Sequence, residues 1–317
     1  MNVRAKKLQR LADRRVPALT RVTVAAIRDG RSKIDRKHLA RAIARGGLGD
    51  LKLALPTLAT HVLLRKADVE DEFADSLAGV FADSAQFAVA LAPQFDLVDR
   101  NAVQFARARA GKFFNDMDAT LLDNARQAVA FGMENGLTVD QTANYIADTA
   151  YLPPRAANAV QNYFSGLIGR LNQGDDIAEA ARAMGADRAL APTKFLDATN
   201  IDTLVGRYAD RWTEYTADVT AHTMTIEASN EGLLDGWNQA AQAGLFDASQ
   251  ATKQWMATDD DITCPECSEL DGTEADFPDG TFDSGDSVPP AHPSCRCTVV
   301  LITEHGSEMP ADDLSEE

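Results

Sequence analysis

The sequence predicts a mainly α-helical protein with an elongated multi-helix body and a small β module near its C-terminus. Its 317 residues are rich in alanine and contain only 7% aromatic residues, which suits helix-on-helix packing better than a β-sandwich. Apolar residues recur at three- and four-residue steps through most of the chain, and a run of β-branched residues stands out near the end, at 298–303. All four cysteines lie just before that run.

The N-terminal segment predicts two successive helices. Pro17 is placed to begin a helix, because the first helical position needs no backbone N–H. Asp35 can cap a second, short helix that runs through Ala44. The pair Gly46-Gly47 then supplies the left-handed conformation that commonly ends a helix.

Three further apolar segments follow. One begins after Pro56 and carries leucines and a valine. Residues 69–92 place most of their apolar side chains on one stripe, which predicts an amphipathic helix that Pro93 stops. Asn101 opens a long helix, in which a short break at residues 116–118 is predicted.

The next helices have clearer boundaries. Either Thr138 or Asp140 can cap one helix, and Pro153-Pro154 marks a turn followed by a fresh helix start. Residues 172–187 contain glycines and aspartates that predict a loop around a short helix. Residues 200–244 predict either a helical hairpin or one extended helix.

Strand-forming residues are concentrated at the C-terminal end. Asp247 begins a short helix that leads to Trp255. The β-branched residues 298–303 predict a strand, and residues 255–258 can pair with it. The tail after Glu304 is acidic and has no core pattern, so we expect it to be mobile.

Charge is distributed unevenly along the chain. The net charge of −17 argues against non-specific nucleic-acid binding by the whole surface. Residues 1–45 nevertheless hold 14 Lys or Arg against three acids. This basic arm could meet nucleic acid or an acidic protein surface, or it could be a solvated helical face. There is no secretory signal and no apolar run long enough to span a bilayer, so we expect the protein to be made in the cytoplasm and to have no membrane partner.

The cysteines and one histidine have the spacing of a metal site. Cys264 and Cys267 form a C-x-x-C pair, and His292 precedes the C-x-C pair of Cys295 and Cys297. Structural zinc takes four thiolate or imidazole ligands in a tetrahedron. The first choice is Cys264, Cys267 and His292 with Cys295 or Cys297, and a four-cysteine set backed by His292 is the alternative. A redox dithiol, a disulfide clasp and a catalytic metal are the other interpretations.

A bound ion would have a local role. A segment of about 50 residues rich in Gly, Pro and Asp buries too little apolar surface to fold unaided, and the ion supplies the missing free energy. The sequence therefore predicts a structural Zn²⁺ in a zinc-ribbon-like β module. The predicted division is a basic helical arm (1–66), a helical body (67–198), a long helix or hairpin (199–254), the zinc-type β module (255–303) and the acidic tail (304–317).

The order of motifs in this segment resembles a known family. Trp-x-Ala-Thr, Cys-x-x-Cys, Leu-Asp-Gly, Pro-Pro-x-His-Pro and Cys-Arg-Cys, followed by a β-branched strand, resemble the phage Mu-type head morphogenesis proteins, also called minor head or minor capsid proteins. The matching residues are Trp255, Ala257, Thr258, Cys264, Cys267, Leu270, Asp271, Gly272, Pro289, Pro290, His292, Pro293, Cys295, Arg296 and Cys297. The resemblance is specific over residues 230–303.

The resemblance implies a low-copy component of a tailed-phage head that associates with the portal. The implied partners are the portal protein and the major capsid or scaffolding protein, with packaged DNA a further partner through the basic N-terminus. The chain is then a virion protein active in packaging or ejection and not an enzyme, since about 15 residues after the last strand leave no room for the extra enzyme domain of some relatives. The alternatives are a metal-dependent hydrolase or nuclease that uses the Cys/His site, and a DNA-binding regulator.

Arg296, between the last two cysteines, has two interpretations. It fixes its loop by bonding Asp271 or a carbonyl, or it contacts a partner.

Overall fold

A computed structural model describes residues 3–46, 48–55, 69–88, 100–184, 201–258, 260 and 263–303. It is mainly helical with a small antiparallel sheet of three strands, which confirms the predicted class. The chain forms two compact units. Unit 1 comprises Met1–Thr20, Glu72–Arg109 and Asp218–Glu317, and unit 2 comprises Arg21–Asp71 and Ala110–Ala217.

The elements follow one another in a simple order. The helices before the sheet are α1 (Val3–Ser32), α2 (Arg36–Arg45), α3 (Leu48–Ala54), α4 (Val69–Ala88), α5 (Arg100–Glu134), α6 (Val139–Thr149), α7 (Pro154–Asn172), α8 (Ile177–Ala183) and α9 (Ile201–Gln242). The C-terminal module, as we call residues 252–303, contains β1 (Thr252–Met256), α10 (Pro265–Leu270), β2 (Glu274–Asp276) and β3 (Thr298–Ile302).

The N-terminal helices confirm both predicted boundaries of the second helix and correct the predicted start of the first. Pro17 lies inside the 30-residue helix α1 and does not begin it. Its side chain is exposed, so solvent can satisfy the carbonyl that the proline ring leaves without its helical partner. Helix α2 begins as predicted, with the Asp35 carboxylate accepting the backbone N–H groups of Lys37 and His38. It ends at Gly46, whose φ of 70° is left-handed.

The predicted break at residues 116–118 is wrong, because α5 runs unbroken from Arg100 to Glu134. The Lys112 ammonium lies 3.1 Å from the Asp116 carboxylate one turn later. Thr120 donates its hydroxyl hydrogen to the Met117 carbonyl, so polar side chains here bond along the helix. The predictions at Pro56 and Pro93 lie outside the described residues.

The caps of the middle helices were largely readable from the sequence. Thr138 caps α6, and its hydroxyl and the Gln141 side chain form a reciprocal capping box. Pro154 opens α7, and the short helix predicted within 172–187 is α8. Residues 201–242 form one extended helix, not a hairpin.

The core of unit 2 is an apolar cluster centred on three aromatic rings. Phe131 of α5, Tyr145 of α6 and Phe164 of α7 pack with ring centroids 5.4–5.5 Å apart. Each helix contributes from the apolar stripe that its sequence predicts. Trp212 of α9 is also buried against this cluster.

Within unit 1, α4 and α9 approach each other closely through small residues. A side chain at Gly232 would clash with the Phe81 carbonyl, and one at Gly236 with the Ala85 carbonyl. The hydroxyls of Ser84 and Ser229 are hydrogen-bonded across this contact at 2.9 Å. Leu233 and Trp237, which directly follow these two glycines on α9, pack against the buried residues of the module. This helix therefore supports the sheet.

The sheet has the strand order β2-β1-β3, with both pairings antiparallel. The predicted pairing of the Trp255 segment with the β-branched run is confirmed, since Trp255 lies opposite Val299. The short helix predicted at Asp247 is a single 3-10 turn that Asp247 caps. Strand β2, only three residues long, was not predicted. Among the described residues, no helix is both long and apolar enough to cross a membrane.

Candidate metal centre

The first two candidate ligands are presented by the start of α10. Cys264 is the N-cap of this helix, and its sulfur accepts the backbone N–H of Cys267 at 3.3 Å. Pro265 occupies the first helical position, where no N–H is needed. The short turn therefore places both sulfurs on one side of the segment.

His292 approaches this pair from the other end of the module. Its Nε2 lies 3.1 Å from the Cys264 sulfur and 3.0 Å from the Cys267 sulfur. Its Nδ1 lies 2.9 Å from the Pro293 carbonyl, which can only accept a hydrogen bond. A proton therefore belongs on Nδ1, and Nε2 is the ring nitrogen that faces the two sulfurs. This is the tautomer that a histidine ligand requires.

The second cysteine pair joins the site through Cys267. The sulfurs of Cys267 and Cys295 are 3.8 Å apart. Two triads have ligand atoms within 4.8 Å of one another, namely Cys264, Cys267 and His292, and Cys267, Cys295 and Cys297. The two triads together contain all five predicted site residues, and they overlap at Cys267 rather than forming one set of four.

The donor set fits a metal ion. Two thiolates bound tetrahedrally at ~2.3 Å lie about 3.8 Å apart, and a thiolate and an imidazole nitrogen about 3.6 Å apart. The Cys267–Cys295 separation already has this value. The His292 contacts are shorter, so the imidazole would have to withdraw by about half an ångström. The cluster can hold a metal ion, and it offers five donors where a tetrahedral ion takes four.

Hydrogen bonds favour the thiolate form of two of the sulfurs. Backbone hydrogen bonding from Cys267 is the largest cause that lowers the pKa of Cys264. The Cys297 thiol donates to Cys295 and is the main reason that the pKa of Cys295 falls to about 5. The backbone N–H of Cys297 adds a second donor, 3.5 Å from the same sulfur.

The other two sulfurs favour the protonated form in the absence of an ion. Burial raises the pKa of Cys267 to about 12. The pKa of Cys297 is also raised, chiefly because its thiol hydrogen bonds to Cys295 and because it is buried. Burial alone would lower the pKa of His292, but its bond to Pro293 and the nearby Cys295 and Cys264 sulfurs raise it overall. In the cluster, thiols that can donate a hydrogen bond therefore lie beside sulfurs that can accept one.

Asn230 of α9 fixes the strand that follows the C-x-C pair. Its side-chain oxygen accepts the Val299 N–H at 3.1 Å and the Thr298 hydroxyl at 2.9 Å. Its amide nitrogen donates to the Cys297 carbonyl at 3.3 Å and to the Ile226 carbonyl at 2.9 Å. The buried side chain of Asn230 therefore fixes the position of β3 along α9. No pattern in the sequence predicted this role.

The Cys295–Cys297 turn is held from two further directions. Thr223 of α9 accepts the Ser294 N–H at 3.0 Å. Arg296 forms two hydrogen bonds with the Asp260 carboxylate, of 2.6 and 2.7 Å. Arg296 thus fixes its loop, as one interpretation predicted, but its partner is not Asp271. The Asp271 carboxylate instead accepts the N–H of Ala257 at 2.8 Å.

A second residue that the sequence did not point to is a lysine. Lys253 of β1 is completely buried. Its ammonium donates to the carbonyls of Pro278, Gly280 and Ser287, at 2.7, 2.8 and 2.9 Å. No local pattern marks it, because its acceptors lie 25 to 34 residues further along the chain.

One family model, described as Phage Mu protein F like protein, matches residues 123–300, more than half of the chain. The match covers the helices of unit 2 from the middle of α5 onward, the whole of α9 and all five candidate metal ligands. No curated protein matches the chain. No solved structure matches it either.

Proposed function

The chain belongs to the Phage Mu protein F-like family, and from that premise we propose that it is a low-copy minor capsid protein that assembles with the portal in a tailed-phage head. The family match, which reaches from the helical core to the Cys/His cluster, carries this proposal. The burial of Cys267 and Cys295 beside residues of α9 supports a structural rather than a catalytic role for the Cys/His cluster, because buried ligands cross-link a fold rather than receive a substrate.

Co-purification tests the proposed role. The tagged chain is expressed with the phage's portal, scaffolding and major capsid proteins, and procapsids are isolated by sedimentation. We expect the chain in the procapsid fraction at low copy, and in a pull-down with portal protein alone. A chain that enriches with neither portal nor particles would rule the role out.

The proposed contact with packaged DNA is assigned to the basic N-terminus. Arg10 and Arg14 of α1 are exposed one turn apart. Binding through such cations weakens steeply with salt. The double variant Arg10→Glu/Arg14→Glu should lose salt-sensitive DNA binding, whereas Arg126→Glu on exposed α5 should not. Equal binding by both variants contradicts the assignment.

In the same proposal the ion is a structural zinc, which makes the module zinc-ribbon-like. Its ligands are Cys264, Cys267, His292 and Cys295. The tautomer of His292 and the N–H groups directed at Cys264 and Cys295 support this set. The distance of 3.8 Å between the Cys267 and Cys295 sulfurs supports it as well. Bound zinc supplies four strong bonds that join both ends of the module, and no chemical step is assigned to it.

Metal analysis and cobalt substitution test the ligand set. We expect one zinc per chain, and a Co²⁺ form with the absorption of three sulfurs and one nitrogen. Cys297→Ser should keep both, whereas Cys295→Ser should reduce the sulfur-to-cobalt absorption. The ligand assignment is wrong if Cys297→Ser, and not Cys295→Ser, removes that absorption. Metal-dependent nuclease activity that Cys264→Ser abolishes in a folded protein would instead favour the hydrolase alternative.

A further inference from the structure

The ammonium group of Lys253 lies inside a cage of three backbone carbonyl groups. A lysine ammonium has three N–H donors, and here each has one backbone acceptor within 2.9 Å. All three acceptors belong to the connection between β2 and the metal-binding histidine. The aromatic ring of Phe282 adds a fourth contact, with its centroid 5.8 Å from the ammonium nitrogen.

A fully buried lysine requires such an arrangement, because an ammonium group without partners is costly to remove from water. Burial lowers the pKa of Lys253, while the negative charges of Asp279 and Glu231 oppose that shift. The hydrogen bonds of the cage go to neutral carbonyls, which belong to three separate points of one loop. The lysine therefore holds three points of one loop together through their backbone carbonyls, instead of forming a single ion pair.

The loop that Lys253 gathers has little regular structure of its own. It is closed by the hydrogen bonds from the Gly280 N–H to the Asp276 carbonyl and from the Phe282 N–H to the Asp286 carbonyl. Phe282 and Val288 are buried in the same cluster as the cysteines. These contacts fix the chain up to Val288, four residues before His292.

The entry of His292 into the site depends on this loop. The connection from Cys267 to His292 would otherwise be a long, flexible closure, and the entropic cost of bringing its ends together grows with length. Strand β1 holds both parts of the connection. The Trp255 backbone pairs with Gly272 and Thr273, just after α10, and the Lys253 side chain holds residues 278–287.

We propose that Lys253 is a positioning residue for the metal centre, which folds residues 277–288 before the ion binds and so delivers His292 to the Cys264–Cys267 pair. The metal part of this inference rests on the proposed zinc site. The folding part does not, since the cage consists only of groups of this chain.

The test compares Lys253→Met, which keeps most of the side-chain length and removes the charge, with Lys112→Met on exposed α5 as the matched control. Hydrogen exchange is measured on the metal-free and zinc-loaded protein. Zinc affinity is measured by competition with a chelator. The nitrogen chemical shifts of His292 report its tautomer in the metal-free protein.

In Lys253→Met we expect faster exchange of residues 277–288 in the metal-free state, unchanged exchange of α6 and α7, and a loss of the single His292 tautomer. Zinc affinity should fall at least tenfold, with unchanged stoichiometry and cobalt spectrum. Lys253→Arg should recover part of the affinity, whereas Lys112→Met should behave as the wild type. Leu301→Ala, a buried change in β3, should lower the melting temperature without disturbing the His292 tautomer.

Unchanged zinc affinity and unchanged loop exchange in Lys253→Met overturn the inference. Should that variant fail to fold, Gly280→Ala supplies a milder test, because a side chain there would clash with the Asp276 backbone and displace one of the three carbonyls. Loop exchange and zinc affinity, measured in this variant, then test the inference in the same way. If the wild type binds no zinc, the proposed metal site fails, while the loop exchange still tests the lysine cage.

Discussion

The core of unit 2 and the C-terminal module differ in the chemistry of their buried residues. In unit 2, apolar residues at helical spacing pack into one cluster around Phe131, Tyr145 and Phe164. In the module, several of the fully buried positions are polar or sulfur-containing, and they include Lys253, Cys295 and Cys297. Both regions bury an apolar cluster, and the module adds to its cluster a few directed interactions of buried polar and sulfur-containing groups. A module of this kind can be small, but each of its interactions then matters more.

Removal of the proposed zinc ion should separate the two regions most strongly. Binding of a structural zinc contributes about 10 kcal/mol or more to folding in small zinc domains. Cys267→Ser removes the sulfur that both triads share, so we expect the largest loss of zinc affinity among the cysteine variants. Hydrogen exchange should show β1–β3 opened and α6 and α7 still protected. Equal loss of protection in both regions would mean that they do not fold by separate means.

A cavity in unit 2 is the converse change. Phe164 is fully buried, and Phe164→Ala should cost about 4 kcal/mol from lost packing. Chemical denaturation measures this loss. Zinc stoichiometry and the cobalt spectrum should stay those of the wild type, and a changed spectrum would contradict the contrast drawn above.

Asn230 tests the dependence of the module on directed bonds. Asn230→Ala leaves the Val299 N–H, the Thr298 hydroxyl and the Cys297 carbonyl without this partner. We expect a loss of about 2–3 kcal/mol, because buried polar groups without partners are costly. The difference in unfolding free energy between this variant and wild type measures it. Asn135→Ala, which removes one local bond at the end of α5, is the control and should cost much less.

The smallest effect is expected at a helix cap in unit 2. The hydrogen bond from the His38 backbone is the largest cause that lowers the pKa of Asp35; desolvation opposes it, and the bond from the Lys37 backbone lowers the pKa further. The contribution of the charged cap is therefore complete above the unfolded pKa and is lost as the pH falls through the folded pKa. Asp35→Asn keeps a capping side chain without the charge. The melting-temperature advantage of the wild type over this variant should shrink from pH 6 to pH 3, and a constant difference would count against it.

The sequence revealed those features that depend on neighbours a few residues away. The caps at Asp35 and Thr138 and the ligand pairs Cys264/Cys267 and Cys295/Cys297 all belong to this class. Helical spacing also predicted the helices that build the core of unit 2, but not which aromatic rings meet there. The prediction of Pro17 as a helix start failed because the general preference of proline for that position was overridden by the surrounding helical residues.

The remaining features depend on distant partners. Lys253 bonds to carbonyl groups, which every residue carries, so no sequence letter marks its cage. Asn230 reaches a strand 67 to 69 residues away. Strand β2 has three residues, too few for a visible period of two. Asp260 and Asp271 lie close to each other in the sequence and have the same chemistry, so only geometry could assign Arg296 to one of them.

The shared position of Cys267 has a consequence for how the site withstands damage. In the proposed zinc site, the loss of Cys295 to mutation or oxidation leaves Cys297 nearby as a weaker ligand, because its raised pKa favours the protonated thiol. No such substitute exists for Cys267 within the two triads. A genetic screen of phage viability should therefore tolerate single changes at the C-x-C pair better than any change at Cys267. One cysteine of the C-x-C pair can thus partly replace the other, whereas no residue of the two triads can replace Cys267.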